Sequence, residues 1–140
     1  MRGRRGGALA AAVLFSFGLS GCAPEAEPLD PSLDAGRETY GRLCHSCHGA
    51  SGEGGVGPNL NGVLATFPDC DTHIEWISLG SERWAAEVGP TYGAANKPVT
   101  GVMPSFAGTL SEEQIRQVAA FERFRYAGAT GEDALSSCDA

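Results

Sequence analysis

Five consecutive residues, Cys44-His45-Ser46-Cys47-His48, constrain this chain more than any other stretch. Two thiols three positions apart, followed at once by an imidazole, support three kinds of chemistry. A structural zinc site needs four ligands, commonly from two such cysteine pairs. The chain has no second Cys-x-x-Cys, and its one histidine outside the motif is His73. A thiol–disulfide exchange pair belongs beside a βαβ pattern, whereas this motif follows a helical pattern and precedes the glycine-rich GEGGVGPNLNG of 52–62. Covalent haem attachment is the third, and Cys-x-x-Cys-His is its signature. The spacing lets both sulfurs reach two vinyl groups on one edge of a planar porphyrin while the next imidazole points at the iron. The sequence favours one covalent haem, with the zinc site and the redox pair as alternatives.

The start of the chain places that motif in a compartment. Arg2, Arg4 and Arg5 precede the apolar run ALAAAVLFSFGL of 8–19, which falls short of the ~20 apolar residues of a membrane-spanning helix. A positive start, a short apolar run and small residues after it read as an export signal, expected over 1–21. The run ends in Leu19-Ser20-Gly21-Cys22, which resembles the lipobox of bacterial lipoproteins. The resemblance implies cleavage before Cys22 and acylation of Cys22. The protein would then be lipid-anchored to the outer face of the cytoplasmic membrane or to a periplasmic-side membrane. An ordinary signal that contains a cysteine is the alternative. Residues 22–32, polar and proline-rich, read as a flexible tether.

Charge excludes some partners. Without the three leader arginines, seven basic residues face 17 acidic ones, a net charge of −10. No basic patch is available for nucleic acid or for anionic lipid headgroups. An acidic surface would steer a basic partner, or is simply a solvated face.

A haem iron held by one histidine raises the question of its second axial ligand. Met1 leaves with the leader, so Met103 is the one methionine of the mature chain. It sits in GVMPSF of 101–106. Core-filling methionines more often lie on apolar helix faces; here Pro104 stiffens the backbone next to the thioether. Met103 is the expected ligand, with His73 or an open position as the alternatives. His45, inside the motif, cannot easily turn onto the same iron.

Two helices are legible. Asp30 suits an N-cap and Pro31 a first helical turn, with Leu33, Gly36, Tyr40 and Leu43 on one face. Near the C-terminus, Ser111 and Gln114 form a capping box and Leu110 can staple onto Ile115. Ile115, Val118, Ala119 and Phe121, extended by Phe124, make the buried face, and Gly128 ends the helix. Between them, Thr72 and Glu75 can cap a short helix through Leu79, ended by Gly80, with His73 partly exposed on it. Trp76, Trp84 and Tyr92 read as pocket walls, a hydrogen bond from one of them to a haem propionate being the alternative. Residues 89–101 read as the loop delivering Met103, with Lys97 exposed.

Taken together, GRETYGRLCHSCHG at 36–49, GPNL at 57–60, MPSF at 103–106 and LSEEQIRQVAAFERF at 110–124 resemble a class I, monohaem cytochrome c over residues 33–126. The resemblance implies a small, loop-rich all-α domain over 33–128 wrapped around one covalent haem c, followed by a C-terminal tail over 129–140. It implies thioether bonds at Cys44 and Cys47, His48 and Met103 as axial ligands, and the Pro58 carbonyl hydrogen-bonded to the His48 ring. It also implies that the first and last helices cross, Gly36 and Tyr40 meeting Val118 and Phe121. Cys70 and Cys138 fall outside the pattern. Export to an oxidising compartment invites a bridge between them, with two free or separately paired thiols as the alternative.

The resulting expectation is a monomeric electron-transfer protein rather than an enzyme, serving a membrane-bound oxidase or reductase. The alternatives are a haem enzyme or ligand sensor with a displaceable sixth ligand, and a fixed cytochrome subunit of a larger respiratory complex.

Overall fold

The computed structural model describes residues 28–140. The expected leader, the lipidated Cys22 and most of the tether lie outside the described residues. Six helices run in the order α1 (Pro31–Leu43), α2 (His45–His48), α3 (Val63–Thr66), α4 (Cys70–Glu87), α5 (Glu112–Ala127) and α6 (Gly131–Cys138). One antiparallel hairpin, β1 (Thr91–Tyr92) with β2 (Lys97–Pro98), interrupts them, pairing Thr91 with Pro98 and Tyr92 with Lys97. The domain is all-α in architecture, and loops fill the spaces between helices.

The framework is α1 packed across α5. Asp30 caps α1 by accepting from the Ser32 amide at 2.9 Å, and Pro31 occupies the first turn, where its missing N–H costs nothing. Leu33, Gly36, Thr39 and Tyr40 are buried on the inner face. Gly36 is the contact point: a Cβ there would strike the Gln117 carbonyl and the Phe121 side chain. The missing side chain lets the two backbones approach, and Tyr40 then reaches Phe121 with ring centroids 5.8 Å apart. Helix α5 carries the capping box, Ser111 and Gln114 each bonding the other's backbone N–H. It stops at Gly128 in the left-handed region (φ 80°).

Two segments differ from the sequence reading. The first stretch of the middle helix ends at Gly80, as read, but the element runs on beyond it to Glu87. Asp69, rather than Thr72, caps it, accepting the Thr72 amide at 2.8 Å, and helix resumes after Gly80, whose φ of 67° and ψ of 177° break it into two stretches. Residues 129–140, expected as a tail, instead form α6, capped by Thr130, with Ala134 and Cys138 buried against the core. A disulfide between Cys70 and Cys138, with Cα atoms 5.1 Å apart, ties α6 to the start of α4. The folded region also begins at Pro31, two residues inside the expected tether. No helix among the described residues is long and apolar enough to cross a membrane.

Candidate functional site

The C-terminal end of α1 delivers the motif to one wall of a deep cleft. Cys44 follows directly on α1, and its amide bonds the Tyr40 carbonyl at 2.9 Å. The next four residues form the short helix α2, so Cys47 and His48 stand about one turn beyond Cys44. Cys44 and Cys47 are unpaired thiols. Burial, with Glu122 nearby, pushes the Cys44 thiol up to about 12. Tyr40 anchors the end of the motif by donating its hydroxyl to the Gly49 carbonyl at 2.6 Å.

The loop after the motif orients His48. The Gly57 amide bonds the Cys47 carbonyl at 2.9 Å and the Gly54 amide bonds the His48 carbonyl at 2.8 Å. This wraps 52–60 around the imidazole and brings the Pro58 carbonyl 2.9 Å from Nδ1. With Nδ1 carrying the proton and donating to Pro58, Nε2 keeps a free lone pair. Gly57 lies against the ring: a Cβ there would come within 2.9 Å of Cε1.

Met103 lines the same cleft, from a loop fastened to the break in α4. Because α4 loses its regular geometry at Gly80, the carbonyls of Ile77 and Ser78 lack helical partners. The Met103 loop supplies donors: the Phe106 amide reaches Ile77 at 3.3 Å, the Ala107 amide reaches Ser78 at 3.2 Å, and Ser105 Oγ donates to Ser78 at 2.7 Å. Ser81 closes the joint from the other side. Its Oγ accepts from the Met103 amide at 2.9 Å and its own amide donates to the Met103 carbonyl at 3.0 Å. A Cβ on Gly80 would meet the Met103 and Pro104 backbone, so Gly80 provides both the break and the room. Ser81 and Gly80 are functional residues that the sequence reading missed as partners of Met103. The signal was a Gly-Ser step inside an otherwise helical stretch.

Between these walls the lining is largely apolar and includes the buried Leu60, Ile77 and Phe106. Trp76 stacks on Tyr92 with centroids 4.2 Å apart, and both line the cleft. Trp84 does not: its Nε1 donates to the Thr91 carbonyl at 2.9 Å and braces the hairpin. Lys97 is exposed, its Nζ bonded to Thr66 Oγ1 at 2.9 Å.

His73, expected to be partly exposed, is 2% exposed. Its Nε2 lies 3.1 Å from Glu122 Oε2, a buried ion-pair geometry, and its ring stacks on Phe67. Neighbouring Arg123 is buried as well, donating to the Phe67 and Pro68 carbonyls at 2.8 and 2.9 Å. Burial holds that guanidinium below its ordinary value, opposed by nearby Asp69.

The cleft thus gathers Cys44, Cys47, His48, Pro58 and Met103 and leaves Cys70 and Cys138 elsewhere, in the bridge. Two thiols and an imidazole stand beside an apolar slot that also takes in a thioether. That donor set fits an iron porphyrin, soft sulfur and imidazole being iron-haem ligands. Among the described residues, no group of three or more His, Cys, Asp or Glu side chains comes together to hold a metal ion.

Residues 31–121 match the family model described as cytochrome c oxidase, cbb3-type, subunit III. Helix α6 and Cys138 lie beyond the matched stretch. No curated protein matches the chain in sequence. Among solved structures, cytochrome cL from the marine methylotroph Methylophaga aminisulfidivorans is similar over 75% of this chain and 67% of its own, at 22% identity and a TM-score of 0.49. The family match covers well over half of the 140 residues, so the chain belongs to this family of cytochrome c domains and is a haem electron-transfer protein with covalently bound c-type haem.

Proposed function

We propose that the chain is a one-electron carrier whose haem is bonded through Cys44 and Cys47 and ligated by His48 and Met103. The observation that carries this reading is the cleft itself, whose lining includes both thiols, the Pro58-oriented imidazole and the one methionine of the mature chain. Bound there, the haem supplies an iron that cycles between ferric and ferrous states. The protein's residues do the rest. Cys44 and Cys47 fix the group covalently. Pro58 holds the His48 ring through Nδ1, which leaves Nε2 as the ligand atom and makes it a stronger donor. Ser81 and Gly80 hold the Met103 loop in place, and a Met ligand raises the reduction potential. With His48 and Met103 both holding the iron, no ligand site would be left for substrate, which makes the chain a carrier rather than an enzyme.

Val56 and Val102 are 91% and 90% exposed and both line the cleft. Such an apolar rim suits the small, transient contacts of electron-transfer encounters. The acidic balance of the chain favours a basic docking face on a membrane-bound redox partner. Acylation at Cys22, with export of the chain, would confine the carrier to the membrane surface and raise its effective concentration there. The test is the absorption spectrum of Met103→Ala against the parent, both expressed with haem-attachment machinery. The parent should show the weak near-infrared absorbance of Met–Fe(III) coordination and the variant should lack it. A parent without that band would defeat the ligand assignment.

A second reading, a resident cytochrome subunit of an oxidase complex, is favoured by the name of the matching family. Extraction in mild detergent separates the two. Stoichiometric co-purification with oxidase subunits supports the resident subunit, and recovery alone supports the carrier.

A further inference from the structure

The buried pair His73–Glu122 takes no part in holding the haem as assigned above. The two side chains are 2% and 6% exposed and 3.1 Å apart, and both belong to the wall of the haem cleft. Taking an acid and a base out of water carries a desolvation penalty that their mutual attraction only partly offsets. An apolar pair would pack the same α4–α5 contact without it. Among the described residues this is the one acid–base pair with both partners buried, and it is an ion pair only when His73 is protonated; the other pairs lie on the surface.

The neighbouring groups leave the pair to itself. Tyr40 of α1, Cys44 just after it and Tyr126 of α5 face Glu122. Tyr40 donates to Gly49 and Tyr126 to Ala50. Arg123, next along α5, holds the Phe67 and Pro68 carbonyls, with Asp69 at the head of α4 as the charge beside it. Among the described residues no basic side chain other than His73 pairs with Glu122, and Nδ1 of His73 is buried without a hydrogen-bond partner. The pair can therefore hold one proton more or one fewer with no other side chain compensating.

We propose that His73–Glu122 is a proton-binding site coupled to the electron the chain carries: the pair takes up one proton from solvent as an electron arrives and releases it as the electron leaves. This rests on the haem lying in the cleft. Charge balances at each step. The electron comes from the redox donor and adds one negative charge within the cleft. The proton forms an N–H bond on His73 and adds one positive charge in the wall, with the Glu122 carboxylate as its counter-ion. In a poorly hydrated wall the two charges attract more strongly than in water, so each favours the other's binding, and by reciprocity to the same extent. The sign follows: the pair is more basic in the reduced protein, so the midpoint potential falls as pH rises through the pair's titration.

The test is a spectroelectrochemical titration of the intact holoprotein at a series of pH values across its stable range. The parent should show a step in midpoint potential, falling with pH. A tenfold difference in proton affinity between the two states corresponds to about 59 mV between plateaus. Glu122→Gln and His73→Gln, each able to keep a hydrogen bond across the pair, should lose that step. Any slope from haem propionates or His45 should survive in both. A parent whose potential is flat with pH, or a step of parental size in either variant, overturns the proposal. Should Glu122→Gln fail to fold, counting protons taken up on reduction in weakly buffered solution, parent against His73→Gln, decides the matter: equal uptake overturns it. The near-infrared band, read on the same samples, reports the Met103 assignment separately from the pH step.

Discussion

Ser81 Oγ receives the amide of Met103 at 2.9 Å, across 22 positions of sequence. One hydroxyl thereby fixes the loop that carries the proposed sixth ligand to the helix break at Gly80. Ser81→Ala removes the acceptor and leaves a partly buried N–H unsatisfied, a cost of ~1–3 kcal/mol. Met103 should then yield more readily to exogenous ligands. Imidazole binding to the ferric protein, followed by loss of the near-infrared band, is expected to tighten about tenfold or more. Unchanged imidazole affinity would show that Ser81 does not hold the loop.

Gly36 sits where α1 crosses α5, with the Gln117 carbonyl and Phe121 occupying the space a Cβ would need. Backbone atoms cannot rotate away, so Gly36→Ala forces the helices apart. Overpacking of this kind costs ~1–3 kcal/mol. The expected result is a lower midpoint in guanidinium denaturation with an unchanged slope, and an unaltered haem spectrum at low denaturant.

The Cys70–Cys138 bridge spans 68 positions. Replacing both cysteines with serine frees a long loop in the unfolded chain, and ~2–4 kcal/mol of stability should be lost. Because the bridge lies outside the cleft, the visible spectrum and potential should stay those of the parent. A spectral change would mean that α6 supports the cleft directly.

Asp69 caps α4 at its N-terminus. Hydrogen bonds from the Thr72 hydroxyl and amide hold its carboxyl below the ordinary carboxylate range. A depressed value means that the ionised cap stabilises the fold above the unfolded carboxylate's range, ~3.9, and that this contribution is lost as pH falls through the lowered value. Asp69→Ala should cost ~0.5–2 kcal/mol at neutral pH, and the difference between parent and variant should shrink on acidification. A difference that does not change with pH would argue against the cap.

What was legible in the sequence was local. The Cys-x-x-Cys-His spacing, the Ser111–Gln114 box and the Pro31 start are encoded within a few residues, and each appears where it was read. Pairings distant in sequence were not legible. Glu122 and Arg123 fall in a helix stretch whose charges look solvated, yet their partners lie 49 to 56 positions away. His73 seemed exposed because the acid that buries with it belongs to another helix. Helix α6 was overlooked for a different reason, brevity. Its cues were present: Thr130 followed three residues later by Asp133, and Ala134 and Cys138 four apart, on one face.

The position of the bridge in the chain also bears on how the protein is made. Synthesis runs from the N-terminus, so Cys44, Cys47 and Cys70 all emerge before Cys138, the third residue from the end. For that interval the other cysteines of the described domain are Cys44 and Cys47, and both are wrong partners for Cys70. Oxidation at that stage would lock the attachment motif shut. Thioether formation at the proposed attachment cysteines, Cys44 and Cys47, would remove both competitors and leave Cys138 to find Cys70.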